Sequence, residues 1–238
     1  MTIFVNLFER VMNKLYLFLL VVSFNFGLKA QLSAVYGKAD YNFWIHLPED
    51  TILKSKPPVL IFLHGRSLSG TDLNKVKKYG VIHEMEKKGR KIPAIVVAPQ
   101  VASGPWIPEK ILSVLNYVQK NYDIDSNRVY ICGMSLGGYG TMDFAGKYPD
   151  KVAAAVALCG GGNVKDASNL AKVPLWIQHG DQDAAVPISE SDKIVEAIKK
   201  YDASNLIYTI LKGANHGDLE KIFRTDEMYN WLFSKIKD

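Results

Sequence analysis

Only two cysteines, Cys132 and Cys159, occur in the 238 residues. Two thiols are too few for the disulfide framework of a small exported fold. Each ends an apolar run, so both are expected as free, buried packing residues. The five histidines lack paired spacing and the cysteines are far apart in sequence, so no metal site is expected. No dinucleotide fingerprint follows the first wound strand, and the glycine-rich stretch from Gly133 to Gly140 lacks a phosphate-loop lysine; no cofactor is expected. The formal charge is +5, yet Lys75, Lys77, Lys78, Lys87 and Lys88 fall on the polar faces of expected helices rather than in a stripe with interleaved aromatics. Nucleic acid is therefore not an expected partner. Repeats, low-complexity segments and interdomain linkers are missing as well, which leaves one domain of ordinary globular composition, 48% hydrophobic and 22% charged.

What is present begins with a leader. From Met12, Asn13-Lys14 is followed by the apolar run Leu15–Val22 and a short tail to Ala30. A basic start, a short apolar stretch and a small terminal residue read as a secretory signal peptide over residues 1–30, with Met12 a tidier start than Met1. The run is too short for a membrane span, and no cysteine near the cut offers a lipid anchor. The mature chain, 31–238, is expected to be secreted or periplasmic, without stable membrane insertion.

Within it, apolar runs of four to six residues alternate with amphipathic stretches, the pattern of a largely parallel sheet covered on both faces. The strands expected are 42–47, 59–63, 94–98, 129–132, 153–158, 175–178 and 206–211, with antiparallel edge strands in the alternating stretch 39–47. Helices are expected over 71–88, 108–122, 136–147, 189–201 and 218–235, with Thr71 and Ser189 as N-caps and Pro108 in a first turn. Only Cys159 to Pro174 separates two of the strands, which leaves no room for a lid domain.

The chemistry sits where strands end. Gly133-Met134-Ser135-Leu136-Gly137 is a G-x-S-x-G turn between an apolar strand and a helix, a shape that lifts a serine hydroxyl clear of the sheet. A hydroxyl is a weak nucleophile unless a base takes its proton, and that base needs a carboxylate to fix its tautomer. Asp181 and Asp183 follow the strand 175–178, and His216 follows 206–211. The order Ser, Asp, His is that of the α/β-hydrolase fold. His46, His64, His83 and His179 are the competing bases, but only His216 follows the last strand. The Leu136 amide, at a helix start directly after the serine, suits an oxyanion donor.

These stretches resemble the single-domain esterases of the α/β-hydrolase superfamily, the carbohydrate-esterase-like group that includes acetylxylan and feruloyl esterases. The carriers are Leu63-His64-Gly65, Gly133 to Gly140, Tyr148-Pro149-Asp150, Cys159-Gly160-Gly161, His179-Gly180-x-x-Asp183-x-x-Val186-Pro187 and Asn215-His216. The resemblance covers roughly 57–233 and implies an α/β-hydrolase fold with a mostly parallel sheet of about eight strands. It also implies Asp183 as the acid and the amide of Arg66 as the second oxyanion donor. The loop departs from the usual Gly- or Ala-rich pattern, reading Arg66-Ser67-Leu68-Ser69-Gly70, which makes Arg66 and Ser67 candidate substrate contacts. Trp106, in another strand-end loop, is a candidate wall for an acyl or sugar group, with packing against the next helix as the alternative. The expected activity is hydrolysis of small-molecule or oligosaccharide esters through an acyl-enzyme. A serine peptidase of the same fold and a non-catalytic binding module are the alternatives.

Overall fold

A computed structural model of the chain describes residues 31–48 and 56–237; the leader expected over 1–30 lies outside them. Eight strands form one sheet: β1 Gln31–Val35, β2 Phe43–Leu47, β3 Val59–Leu63, β4 Ile95–Pro99, β5 Val129–Met134, β6 Ala154–Leu158, β7 Leu175–Gly180 and β8 Leu206–Leu211. Their spatial order is β1-β2-β4-β3-β5-β6-β7-β8. The pairs β1–β2 and β2–β4 are antiparallel, and every pair from β4 to β8 is parallel. The carboxyl ends of β3, β5, β7 and β8 therefore open onto one side of the molecule, where wound sheets place their sites.

The central strands β3, β4, β5, β6 and β7 are buried throughout, which explains their near-continuous apolar sequences. On one face they meet helices α2 Pro108–Asn121, α3 Leu136–Lys147 and α5 Ser189–Ile198. On the other they meet α1 Val81–Lys88 and α6 Asp226–Phe233. In α2 the buried residues are Ile111, Val114, Leu115 and Val118, one stripe at helical spacing. Each such side chain contributes about 1.5–3 kcal/mol when fully buried. Between β6 and β7 run only a 3-10 turn and the short α4, Ala167–Leu170. Among the described residues there is no lid domain, and no helix is long and apolar enough to cross a membrane.

Four expectations change. The edge of the sheet starts earlier, at Gln31, and residues 36–42 turn the chain back; the half-covered β1 carries too weak an apolar alternation to be read from sequence. The helix expected over 71–88 is two pieces. A 3-10 turn, Leu73–Lys77, is capped by the Asp72 side chain rather than by Thr71, and Gly80 then breaks the path with φ +76 before α1. Only glycine fits at the break, since a Gly80 Cβ would lie 2.2 Å from the Phe62 ring. The helix expected over 218–235 is likewise a 3-10 stretch, His216–Arg224, followed by α6. Its start is fixed by a capping box between Asn215 and Asp218. Ser189 is the first residue of α5 and not its N-cap. Both cysteines are free and buried, and burial pushes Cys159 up to about 12 and Cys132 higher still, so neither is a thiolate near neutral pH.

Candidate active site

Ser135 occupies the turn between β5 and α3 with φ 59 and ψ −121, backbone that a non-glycine residue rarely holds. Its N–H donates to the Leu158 carbonyl at 2.8 Å, which locks the turn to the end of β6. The flanking glycines let the chain bend there. A Cβ on Gly133 would lie 2.3 Å from the Gly137 carbonyl oxygen, and one on Gly137 only 1.9 Å from that of Leu63. The small residues of the pentapeptide are thus demanded by backbone-to-backbone contact between β3, β5 and α3.

Of the two acidic candidates, Asp183 is the one beside His216, with Oδ2 accepting from His216 Nδ1 at 2.7 Å. Its Oδ1 accepts the amides of Ala185 at 2.9 Å and Val186 at 2.8 Å. Burial alone would raise Asp183, but the Val186 amide, His216 and the Ala185 amide outweigh it and hold the carboxyl below its ordinary value. An ionised Asp183 fixes the Nδ1–H tautomer of His216, which leaves Nε2 as the nitrogen able to accept a proton. Asp181 instead accepts the Gly213 amide at 2.7 Å, bracing the loop after β8.

The other histidines have different work. His64 donates from Nδ1 to the Gly65 carbonyl at 2.7 Å and accepts the Val101 amide at Nε2, 3.2 Å. Burial lowers it to about 4, the Gly65 contact offsetting part of the shift, so it is neutral and ties two loops together. His179 is fully buried, bonded through Nδ1 to Ser191 Oγ at 2.7 Å and through Nε2 to the Val186 carbonyl at 2.9 Å. His83 faces Glu84, and His46 lies in β2, away from the turn.

Ser135, His216, Leu136, Arg66 and Ser67 all border one open cavity of about 880 Å³. Leu136 is the first residue of α3 and Arg66 the first of a 3-10 turn, Arg66–Leu68, so helix geometry leaves the amides of both without an acceptor in their own turn. The Arg66 side chain is exposed at the rim. Trp106 does not wall the cavity. It is 3% exposed, donates from Nε1 to the His64 carbonyl at 3.2 Å, and packs edge-on to the His64 ring and against Gly140. Its ring fills the gap left by the glycine, so it supports the loop after β3 from below, and its neighbour Pro105 borders the cavity instead. Cys159 Sγ, an Asp183 oxygen and a His216 nitrogen lie within 4.8 Å of one another. With the thiol protonated and His216 Nδ1 spent on Asp183, this group reads as a hydrogen-bonded pair with a packing thiol beside it.

Sequence reading missed Tyr79, Tyr139, Asp143, Glu190 and Glu220, which also border the cavity. Tyr139 and Asp143 follow Ser135 at steps of four along α3, a helical signal that was available. Tyr79, Glu190 and Glu220 arrive from remote segments and left none. Burial raises Asp143 to about 6, the Asn163 amide lowering it in part and Asp166 adding to the rise. The fold thus favours the protonated acid. That stability is fully present below the unfolded value near 4 and is lost as pH climbs through about 6. Asp143→Asn should melt about 2 °C above wild type at pH 8 and show no gain at pH 4, measured by thermal unfolding at both pH values. An equal shift at both would show that the carboxyl is not held protonated.

Residues 103–228 match the model of the dienelactone hydrolase family, more than half of the chain. The chain belongs to that family. The bifunctional acetylxylan esterase/xylanase XynS20E of Neocallimastix patriciarum is 27% identical over 152 residues, 58% of this chain and 21% of that protein. Poly(3-hydroxyalkanoate) depolymerase C of Paucimonas lemoignei is 24% identical over 127 residues, 49% of this chain and 30% of that one. The chain thus spans less than a third of either curated relative. Among solved structures, a thermostable esterase superposes with a TM-score of 0.74 at 26% identity, covering 87% of this chain and 63% of that one. The feruloyl esterase module from Clostridium thermocellum superposes at 0.65 and 17% identity, covering 88% and 90%, which is likeness of fold. The α/β-hydrolase fold expected from the sequence is the fold observed, and the neighbours named here are esterases.

Proposed function

We propose that this family member is a serine-dependent carboxylic ester hydrolase that works through an acyl-enzyme. The observation that carries the reading is the 2.7 Å His216–Asp183 pair in the same cavity as Ser135, whose backbone is held in left-handed conformation at a strand-to-helix turn. In this reading Ser135 Oγ attacks the ester carbonyl while His216 Nε2 takes its proton. The amides of Leu136 and Arg66 receive the developing oxyanion. The alcohol leaves with the proton from His216, and water, activated by the same imidazole, releases the acid and regenerates Ser135.

The acetylxylan esterase and feruloyl esterase likenesses support short acyl or hydroxycinnamoyl esters of carbohydrate as substrates, and the leader read from the sequence supports action outside the cytoplasm. A fluorophosphonate probe should label wild type at Ser135, and p-nitrophenyl acetate should be cleaved faster than an aminopeptidase anilide. No adduct would point to a binding module, and the reverse rate order to a peptidase. Because the cavity is open and no lid lies over it among the described residues, only part of the ~0.8 kcal/mol per buried methylene is available to long chains. Acetyl to butyryl esters should therefore have kcat/KM at least ~10-fold above octanoyl esters. Rates rising steadily to dodecanoyl would shift the assignment to a lipase.

A further inference from the structure

Tyr79 stands between the 3-10 turn and α1, and its backbone is pinned from two sides. The next residue, Gly80, donates its N–H to Glu220 Oε1 at 3.4 Å and is pressed against the Phe62 ring. Glu220 is itself bonded to Arg224. So anchored, the phenol reaches the loop after β3, where Oη accepts the Gly65 N–H at 3.1 Å and lies 3.2 Å from Ser67 Oγ. A point 2.8 Å from Oη and only 3.4 Å from Ser135 Cβ is marked by the Cβ that Gly65 lacks. The hydroxyl and the serine therefore flank the space beside Gly65, and both residues border the same cavity as Arg66.

A phenol oxygen has two lone pairs and one proton. Gly65 N–H occupies one lone pair and Ser67 O–H can occupy the other, which leaves the phenol's own proton for a third partner. We propose that Tyr79 is a catalytic residue, a side-chain donor that joins the Leu136 and Arg66 amides in holding the oxyanion on Ser135-bound substrate. The proposal rests on the serine esterase reading above. No proton is transferred: with Gly65 and Ser67 both donating to the phenol oxygen, the phenol's own O–H points to the substrate oxygen as negative charge develops, and that contact is lost when the intermediate collapses. Donation from Gly65 into the phenol oxygen polarises the O–H and strengthens it as a donor. Burial raises Tyr79 above the ordinary tyrosine range, so the proton stays in place at working pH.

Tyr79→Phe in the full chain should lower kcat on p-nitrophenyl acetate by about 10²-fold with KM within ~3-fold, because the contact is made in the transition state. Binding of a trifluoromethyl ketone, which places an oxyanion on the serine, should weaken by a similar factor. A second variant separates donation from loop support. With 3,5-difluorotyrosine at position 79, the phenol ionises at lower pH, and activity should gain a falling limb on the alkaline side that wild type lacks. A mere brace accepting the Gly65 N–H would keep the wild-type profile, since a phenolate accepts better. That result, or a Tyr79→Phe kcat within twofold of wild type, overturns the proposal while leaving the esterase reading intact. A wild-type protein that neither cleaves the ester nor takes a fluorophosphonate overturns the esterase reading itself. Should the phenylalanine variant fail to fold, the fluorotyrosine profile still decides.

Discussion

Ser135→Ala is expected to reduce kcat on p-nitrophenyl acetate by about 10⁶-fold, and His216→Ala by a comparable factor, with the double variant little worse than either. The non-additivity follows from the proposed chemistry. Without Ser135 there is no nucleophile for His216 to activate, and without His216 the hydroxyl keeps its proton. What remains in either variant is the oxyanion site, which is the same in both. The measurement is steady-state turnover of the four proteins at one pH. Near-wild-type turnover in His216→Ala, with loss in His179→Ala, would show that the base was misassigned. The structure makes that outcome costly to imagine, since His179 is fully buried and committed at both nitrogens to Ser191 and the Val186 carbonyl.

Gly137→Ala should cost about 4 kcal/mol or more, or prevent soluble folding. The added methyl would sit 1.9 Å from the Leu63 carbonyl oxygen, and that atom is the backbone of a fully buried central strand that cannot step aside. The relief available is to push α3 off β3, which opens the serine turn as well. Gly217→Ala, whose new methyl would meet only the Asn215 side-chain oxygen at 3.4 Å, is the control and should stay within about 0.5 kcal/mol. Urea unfolding of both variants tests the pair. A Gly137→Ala midpoint close to wild type would mean that the turn tolerates displacement and that its small residues have another reason.

Much of this was legible in the chain because parallel, doubly covered strands write themselves as continuous apolar runs. β3 and β8 have the bounds expected from sequence, and the other parallel strands differ by one or two residues at one end or both. Helices were less legible where tertiary contacts cut them. Nothing in residues 71–88 announces the Phe62 ring that leaves no room for a side chain at Gly80, and periodicity runs straight across the break. Trp106 shows the same limit from the other side. An amphipathic ring in a strand-end loop suits a binding wall, and only the packing of Gly140 beneath it shows that the ring is consumed in holding the His64 loop.

The sequence by itself determined the fold class, the strand ends where the candidate groups lie, and the serine turn, because each rests on residues adjacent in the chain: periodicity over a few positions, or a pentapeptide after a strand. Spacing alone left Asp181 and Asp183 both possible, with the resemblance favouring Asp183, and the sequence was silent on Tyr79 and Glu220. The tertiary structure decided those. Which carboxylate meets His216 depends on how the turn after β7 bends, with the Ala185 and Val186 amides curling around Asp183 while Asp181 turns to Gly213. Tyr79 reaches Gly65 only because segments 14 residues apart fold onto one another, and Gly80 meets Glu220 across 140. Such contacts arise from the summed packing of the whole sheet and its helices, which no local pattern encodes.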